Sequence, residues 1–210
     1  MAAAAGLDRA AVLSAAEQIA NRRGLDALTL AELAATLKIK PPSLYNHVAG
    51  MAGLRRELKL LALRTLGAAM SRATIGKAGD DAIFALAAAY RSFVKRHPGL
   101  YPLIVSAPDA GDRELTAASD EILNVCIEVL GGYHLDRRES LHAIRAMRST
   151  VHGFATLEAA GGFGIPLEVD ESFKWAIDAL VNGFKAMRRK DARASRTRSA
   201  TAAPGTPDSG

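Results

Sequence analysis

The segment from Pro41 to Val48 carries side chains whose chemistry suits contact with nucleic acid. Asn46 offers an amide that can pair with adenine through two hydrogen bonds, and the Ser43 hydroxyl can bind a base edge. Tyr45 combines a ring that can pack with a hydroxyl that can bind a phosphate. Lys40 lies just before the segment, where its charge suits the DNA backbone. The predicted chemistry is hydrogen bonding and charge pairing to DNA.

Two short helices joined by a tight turn are predicted to position these side chains. Thr29 is a suitable N-cap for the first helix, and Glu32 follows it at the spacing of a capping box. Pro41 starts the second helix at a position that proline tolerates, and Leu44 and Val48 point inward from it. Such a pair is a helix-turn-helix, whose second helix lies in the major groove. The apolar face of the first helix comprises Leu30, Leu33, Ala34 and Leu37.

The predicted DNA-contacting set combines the cap, the turn, the outward face of the second helix and the start of the next helix. It comprises Thr29, Lys38, Lys40, Pro41, Pro42, Ser43, Tyr45, Asn46, His47 and Arg55. Two alternatives stay open. Tyr45 and His47 can instead be core residues, and Lys38 can be a solvated side chain without a DNA contact.

Apolar residues at helical spacing predict an all-α fold for the rest of the chain, and no segment alternates at the spacing of a strand. Asp80 or Asp81 is expected to cap one helix, Asp136 with Glu139 forms a second capping box, and Asp170 is expected to cap the last helix. The predicted helices outside the helix-turn-helix begin at about residues 8, 52, 81, 100, 112, 137 and 171.

Positive charge is concentrated at the two ends of the chain. Residues 1–67 hold nine Lys or Arg against five Asp or Glu, residues 68–184 hold eleven against fifteen, and residues 185–210 hold seven against two. A basic N-terminal unit on a mildly acidic body is the charge distribution expected of a DNA-binding protein. Residues 191–210 contain no large apolar side chain, so they are predicted to be a disordered basic tail.

Several other classes of protein are not supported by the sequence. No run of about 18 apolar residues is present, and MAAAAG lacks the basic start of a signal peptide, so a cytoplasmic protein without a membrane partner is predicted. The single cysteine and the scattered histidines indicate neither a disulfide nor a metal site. The glycine run at 161–164 lacks the context of a phosphate loop. No cofactor and no catalytic residue are predicted, and an all-helical enzyme is a distant alternative.

The helix-turn-helix segment resembles the DNA-binding domain of the TetR family of transcriptional regulators. The resemblance rests on the pattern LYNHV, residues 44–48, after LTLAELAATLKI, and it covers about residues 7–67. The run VHGFATLEAAGGFG, residues 151–164, is similar to the ligand-binding region of one branch of that family. The resemblance therefore extends to about residue 190.

Two residues depart from the family pattern. Lys38 stands in the turn, where the family often has Gly. If the backbone there is left-handed, Lys is less stable than Gly by about 1 kcal/mol, so either its charge is useful or the turn differs. Met51 stands where the family often has a Lys at the start of the fourth helix, so one phosphate contact is in doubt. Arg55 and Arg56, one turn later, are possible substitutes.

The resemblance implies a homodimeric repressor of double-stranded operator DNA that a small apolar effector releases. A helix-turn-helix unit over residues 7–67, with its motif at about 30–49, would precede a ligand-binding and dimerisation unit over residues 68–190. An activator, or a DNA-binding regulator without a ligand, is the alternative.

The ligand pocket is expected among the middle helices, where aromatic residues can either line a cavity or fill a core. His152 also has an alternative interpretation as a core or dimer-contact residue. The predicted pocket comprises Tyr90, Phe93, Tyr101, Ile104, Cys126, Met147 and His152.

The two C-terminal helices are expected to form a four-helix bundle with a second copy of the chain. Their apolar stripe needs a covering surface, and small residues would let the helices approach closely. The predicted dimer interface comprises Val151, Gly153, Ala155, Ile177, Leu180, Val181 and Phe184.

Overall fold

A computed structural model describes the backbone of residues 8–201 and the side chains of residues 8–187. Every regular element within residues 8–201 is helical, which confirms the predicted fold class. The α-helices of this part of the chain are α1 (Arg9–Arg23), α2 (Leu30–Thr36), α3 (Pro41–Leu44), α4 (Gly50–Thr74), α5 (Gly79–Arg96), α6 (Arg113–Leu130), α7 (Arg137–Ala159) and α8 (Val169–Thr201). Short 3₁₀ turns cover Leu25–Ala27, Tyr101–Ile104 and Gly131–Tyr133.

Helix α4 belongs to both halves of the molecule. It packs against α1, which also contacts α2, and α2 in turn contacts α3. Along its length α4 packs against α5 and α6 as well, while α7 and α8 pack against each other and against α5. Leu54 and Leu58 near the start of α4 and Leu66 and Met70 near its end are all buried. One helix therefore carries core residues of both the N-terminal unit and the helical body.

The helix ends follow local hydrogen bonding, with two corrections to the prediction. Asp136 and Glu139 form the predicted capping box at the start of α7. The N-cap of α5 is Ala78, and Asp80 instead accepts hydrogen bonds from Tyr133 and Lys185. Helix α8 begins at Val169, so Asp170 lies in its first turn, where it pairs with Arg91 at 2.8 Å. Both carboxylates are used for tertiary contacts rather than for capping.

The C-terminal segment differs from the predicted disordered tail. Helix α8 continues to Thr201, which includes the first half of residues 191–210. Ala and Arg are strong helix formers, and extending an existing helix avoids the nucleation step, so low apolar content alone does not end it. Residues 202–210, which belong to the same prediction, lie outside the described residues.

The N-terminal unit docks on the body through a close backbone approach at Gly99. A Cβ atom at this position would lie 2.1 Å from the carbonyl carbon and oxygen of Ala20 in α1. The Gly99 amide donates to the Asn21 side chain at 3.0 Å, and the neighbouring His97 ring lies 3.0 Å from Glu17. Only glycine fits here without displacing α1.

Candidate nucleic-acid interface and ligand cavity

Helix α2 begins with the predicted cap. The Thr29 hydroxyl accepts from the Glu32 amide at 3.1 Å. The Glu32 carboxylate accepts from Arg23 at 2.5 Å, so it contacts α1. The cap of α2 is therefore also a link between α1 and α2.

The turn between α2 and α3 contains a left-handed residue at Lys38, which is one of the two possibilities that the sequence left open. Lys38 has a φ of 56°. Its amide donates to Ala35, and the Ile39 amide donates to Ala34, which is the hydrogen-bond pattern of a Schellman motif. Lys38 occupies the position where glycine is usual, and its side chain is exposed. The turn keeps its geometry although Lys is less favourable there by about 1 kcal/mol.

The recognition segment, Pro41 to His47, presents polar and aromatic side chains to solvent. Leu44 is fully buried and Val48 is buried, as predicted. Tyr45 is 64% exposed, which excludes its alternative role as a core residue of the single chain. Asn46 is exposed and His47 is half-buried. The aromatic ring, the amide and the imidazole thus lie on the surface beside one another.

The regular helix in this segment is shorter than predicted. Helix α3 ends at Leu44, and Tyr45 is its C-cap. The His47 and Val48 amides both donate to the Leu44 carbonyl, at 2.9 and 3.0 Å, so the chain continues as a turn. These bonds hold the segment against the core through Leu44 and Val48.

Two arginines at the start of α4 have different surroundings. Arg56 donates through Nε and Nη2 to both carboxylate oxygens of Asp112, at 2.5 and 2.8 Å, and through Nη2 to Glu114 at 3.1 Å. These hydrogen bonds raise the pKa of Arg56 and lower the pKa of Asp112. Arg56 is therefore bound to the start of α6 and is unsuited to a phosphate contact. Arg55 is exposed and remains a candidate, as do the exposed Thr29, Lys40, Pro41 and Pro42 and the half-buried Ser43.

A cavity of about 300 Å³ lies in the body between α4, α5, α6 and α7. Its volume is at the lower end of the range for small-molecule sites. Four of the predicted pocket residues line it: Tyr90, Ile104, Cys126 and Met147. The prediction missed the wall that α4 contributes through Leu63, Leu66 and Met70, although their spacing marks one helical face.

Three predicted pocket residues do not line this cavity. Phe93 is fully buried and stacks on His97, with ring centroids 4.8 Å apart, so it is a core residue. Tyr101 lies behind Tyr90, with the two hydroxyl oxygens 3.0 Å apart, and also contacts Nδ1 of His152. His152 opens to a separate surface recess. Tyr90, Tyr101 and His152 form a hydrogen-bonded row that runs from the cavity wall toward the surface.

The Cys126 thiol and the Tyr101 phenol behind the wall are neutral near neutral pH. Burial raises the pKa of the Cys126 thiol to about 12. Burial, together with the hydrogen bond to Tyr90, also raises the pKa of Tyr101. The inner wall is otherwise aliphatic, so the cavity suits an apolar guest.

The predicted dimer interface requires correction, because most of its residues are in the core of the single chain. Val151, Ala155, Ile177, Val181 and Phe184 are all buried, and Phe184 packs edge-on against Tyr133. Gly153 and Leu180 are half-buried. Periodicity located the apolar face of each helix correctly, and the chain's own body covers its five buried residues.

Other apolar side chains near the C-terminal helices are exposed. Among the described side chains, six of the nine large exposed hydrophobic residues fall between residues 157 and 187. They are Leu157, Phe163, Ile165, Leu167, Trp175 and Met187. Trp175 is 76% exposed, on the face of α8 opposite to Ile177 and Phe184.

Within the described residues, no group of three or more His, Cys, Asp or Glu side chains is arranged to hold a metal ion. No helix in this part of the chain is long and apolar enough to cross a membrane.

Comparisons with known proteins agree with these two regions. Residues 12–58 match the family model of bacterial regulatory proteins of the tetR family, and residues 83–180 match the model of the tetracyclin repressor-like C-terminal domain. The first match contains the recognition segment, and the second spans the helices that enclose most of the cavity.

Curated relatives cover most of the chain. It is 37% identical over 158 residues to the uncharacterized HTH-type transcriptional regulator Rv0681 of Mycobacterium tuberculosis, covering 75% of this chain and 72% of the relative. It is 32% identical over 181 residues to the uncharacterized HTH-type transcriptional regulator YobS of Bacillus subtilis, covering 85% and 93%. A solved structure of a protein with unknown function from Rhodococcus sp. RHA1 has a TM-score of 0.74 at 25% identity, covering 87% and 98%. The chain belongs to the TetR family of DNA-binding transcriptional regulators, which are not enzymes.

Proposed function

We propose that the protein is a homodimeric repressor that leaves its operator DNA when a small apolar ligand occupies the cavity. The observation that carries the proposal is the shared use of α4. This helix has 25 residues and is therefore about 37 Å long. Leu54 and Leu58 of its first turns belong to the same buried core as Leu44 of the recognition segment. Its later residues Leu63, Leu66 and Met70 form one wall of the cavity. A ligand in the cavity would thus contact the helix that positions the DNA-binding unit.

The DNA-binding part of the proposal assigns one half-site to each protomer. The recognition segment would enter the major groove, with Ser43 and Asn46 on base edges and Tyr45, Lys40 and Thr29 on the backbone. Two such segments in a symmetric dimer bind half-sites one helical turn apart, about 34 Å, or a multiple of it. Operator DNA in the cytoplasm is the expected partner.

The dimer part of the proposal uses the exposed faces of α7 and α8 in place of the buried stripe. Trp175 lies on a face of α8 that also carries the exposed Ala179 and Ala186 at helical spacing. Small residues beside a large aromatic one permit close helix packing around an anchor. We propose that this face, together with Leu157 of α7, contacts its copy in the partner.

Trp175→Glu tests the dimer face. The substitution places a charge at the centre of the proposed contact without touching the core, because Trp175 is 76% exposed. The variant should be a folded monomer in light scattering and should bind DNA more weakly. Ile75→Glu is the matched control, because Ile75 is 73% exposed but lies at the end of α4. A dimeric Trp175→Glu variant would place the interface elsewhere.

A second contact would transmit the ligand's effect to the DNA-binding unit. Residues Ser106 to Pro108 line the cavity and lead into Asp112, which caps α6 and holds Arg56 of α4. A ligand shifts the equilibrium between two conformational states only as far as its affinities for the two states differ. We infer that the Arg56–Asp112 pair helps to couple the cavity to the tilt of α4.

Arg56→Gln tests this coupling, with decanol as an apolar probe. In the wild type, decanol should lower the affinity for a labelled duplex from the region upstream of the protein's own coding sequence. In Arg56→Gln, decanol should bind equally well but lower the DNA affinity less. Arg64→Gln is the matched control, because Arg64 also pairs with Glu114, at 2.9 Å, without contacting Asp112. If decanol lowers the DNA affinity of Arg56→Gln and Arg64→Gln to the same extent, Arg56 does not couple the cavity to α4.

A further inference from the structure

The mouth of the cavity carries a fixed positive charge. Arg148 of α7 is exposed, and it lines both the cavity and the surface recess beside His152. Its Nη2 atom donates to the carbonyl oxygens of Val105 at 2.9 Å and Ile104 at 3.3 Å, so the end of the 3₁₀ turn holds the guanidinium in place. Among the described side chains, no carboxylate lies within ion-pair distance of Arg148. The Nε and Nη1 donors of Arg148 have no hydrogen-bond partner among the described residues and are therefore available to a guest.

The remaining wall divides into an apolar interior and a polar rim. The rim consists of Ser106, Ser119, Asp120 and Arg148. The other lining side chains are aliphatic, aromatic or sulfur-containing. A purely apolar guest would use the interior and leave the guanidinium unmatched. A guest with an apolar body and one charged end would match both parts of the site.

Arg148 and Asp120, the two charged residues of the rim, determine which sign of charge on a guest fits the site. Both residues are exposed, but two backbone carbonyls hold Arg148, whereas no ion pair holds Asp120 among the described residues. The Arg148 charge reaches the cavity wall, because it lowers the pKa of the Cys126 thiol against the larger opposing effect of burial. The rim therefore carries a cation that two carbonyls hold in place and a carboxylate that is not held, which favours a guest with an acidic end.

We propose that the cavity takes an amphipathic carboxylic acid, whose apolar body fills the interior and whose carboxylate pairs with Arg148 at the mouth. Charge-assisted hydrogen bonds from Nε or Nη1 of Arg148 to the carboxylate would be stronger than neutral ones and would select an acidic end group. This inference rests on the proposed ligand-controlled repressor, because it names the ligand class of the same cavity.

Calorimetric titration of the protein without DNA tests the ligand class with three probes of equal chain length: decanoate, decanol and decylamine. The wild type should bind decanoate about tenfold to a hundredfold more tightly than decanol, which is the expected effect of hydrogen bonds to a charged group. Arg148→Gln should remove that preference while leaving decanol affinity unchanged, which also shows that the cavity remains folded. Arg148→Lys should keep part of the preference, because it keeps the charge but loses the fork.

Arg145→Gln and Asp120→Asn are the controls. Arg145 lies one turn earlier on α7 and contacts the surface recess but not the cavity, so Arg145→Gln should keep the full preference for decanoate. Asp120→Asn should leave decanoate binding unchanged or strengthen it. Tighter binding of decylamine, or an equal affinity for decanol and decanoate in the wild type, would overturn the proposal.

The same protein preparations separate this inference from the proposed function. If the wild type binds DNA but does not prefer decanoate to decanol, the proposed repressor stands and the carboxylate ligand is rejected. Preferential binding of decanoate without DNA release would support the ligand class and contradict ligand-controlled repression.

Discussion

The DNA-facing side chains come from one short run, Lys38 to His47, whereas the cavity wall combines four helices between Leu63 and Val151. Most side chains of the run are exposed, and Leu44 alone among them is buried. Most of the cavity wall is buried and also forms the core of the body. Substitutions in the run can therefore alter binding without loss of stability, while substitutions in the body alter both.

Phe184→Ala should destabilise the body strongly. Phe184 is 4% exposed and packs against Tyr133, and removing a buried Phe side chain typically costs about 3–5 kcal/mol. Chemical denaturation should show this loss in the free energy of unfolding. Trp175→Ala, on the opposite face of α8, should change the stability of the monomer by less than about 0.5 kcal/mol. Similar losses for both variants would contradict the assignment of the two faces.

Gly99→Ala should weaken the joint between the two regions. The new Cβ would meet the backbone of Ala20, so α1 must move, at a cost of about 1–3 kcal/mol for a forced packing change. DNA affinity should fall with stability, since α1 supports the DNA-binding unit. Gly111→Ala is the control, because a Cβ at Gly111 meets no atom within 4 Å. A Gly99→Ala variant as stable as Gly111→Ala would argue against the close docking of α1.

Tyr45→Phe should affect DNA binding but not stability. The ring stays, while the exposed hydroxyl is lost, so the unfolding transition should match that of the wild type. If the hydroxyl binds a phosphate, affinity should fall by about 1.5–3 kcal/mol for every DNA sequence alike. Anisotropy titrations with operator and unrelated duplexes measure this. A loss confined to the operator would indicate that Tyr45 reads bases.

The smallest expected effect is a pH dependence at Glu158. Hydrogen bonds from Arg91, at 2.6 and 2.8 Å, and from Lys95, at 2.6 Å, lower its pKa to about 2. A lowered pKa contributes stability above the pKa of the unfolded chain, about 4.3, and this contribution disappears as the pH falls toward 2. Glu158→Gln should therefore be less stable than the wild type at pH 7, with a difference that shrinks in acid. A difference that is constant with pH would exclude this ion pair as its source.

The sequence predicted best those features that depend on neighbouring residues. The Thr29 cap and the Asp136–Glu139 capping box each require only a few consecutive positions, and both are present. The inward direction of Leu44 and Val48 also follows from local helical spacing.

Features that depend on distant residues were predicted less well. The stripe containing Ile177 and Phe184 was correctly recognised as apolar, but periodicity does not tell whether a helix face meets its own chain or a partner. Asp80 is a good cap by sequence, yet Tyr133 and Lys185 bind it from other helices. The α4 wall of the cavity was missed for the same reason, because tertiary packing decides which apolar residues border a void.

Selection from randomised double-stranded DNA tests the central claim most directly, that a symmetric dimer reads DNA through the recognition segment. The wild-type protein should enrich a two-fold symmetric motif whose half-sites lie one helical turn apart or a multiple of it. Asn46→Ala should enrich a different motif, whereas Asn124→Ala, the same change at an exposed position of α6, should return the wild-type motif. Failure of the wild type to enrich any motif, or an identical motif for Asn46→Ala, would contradict the account.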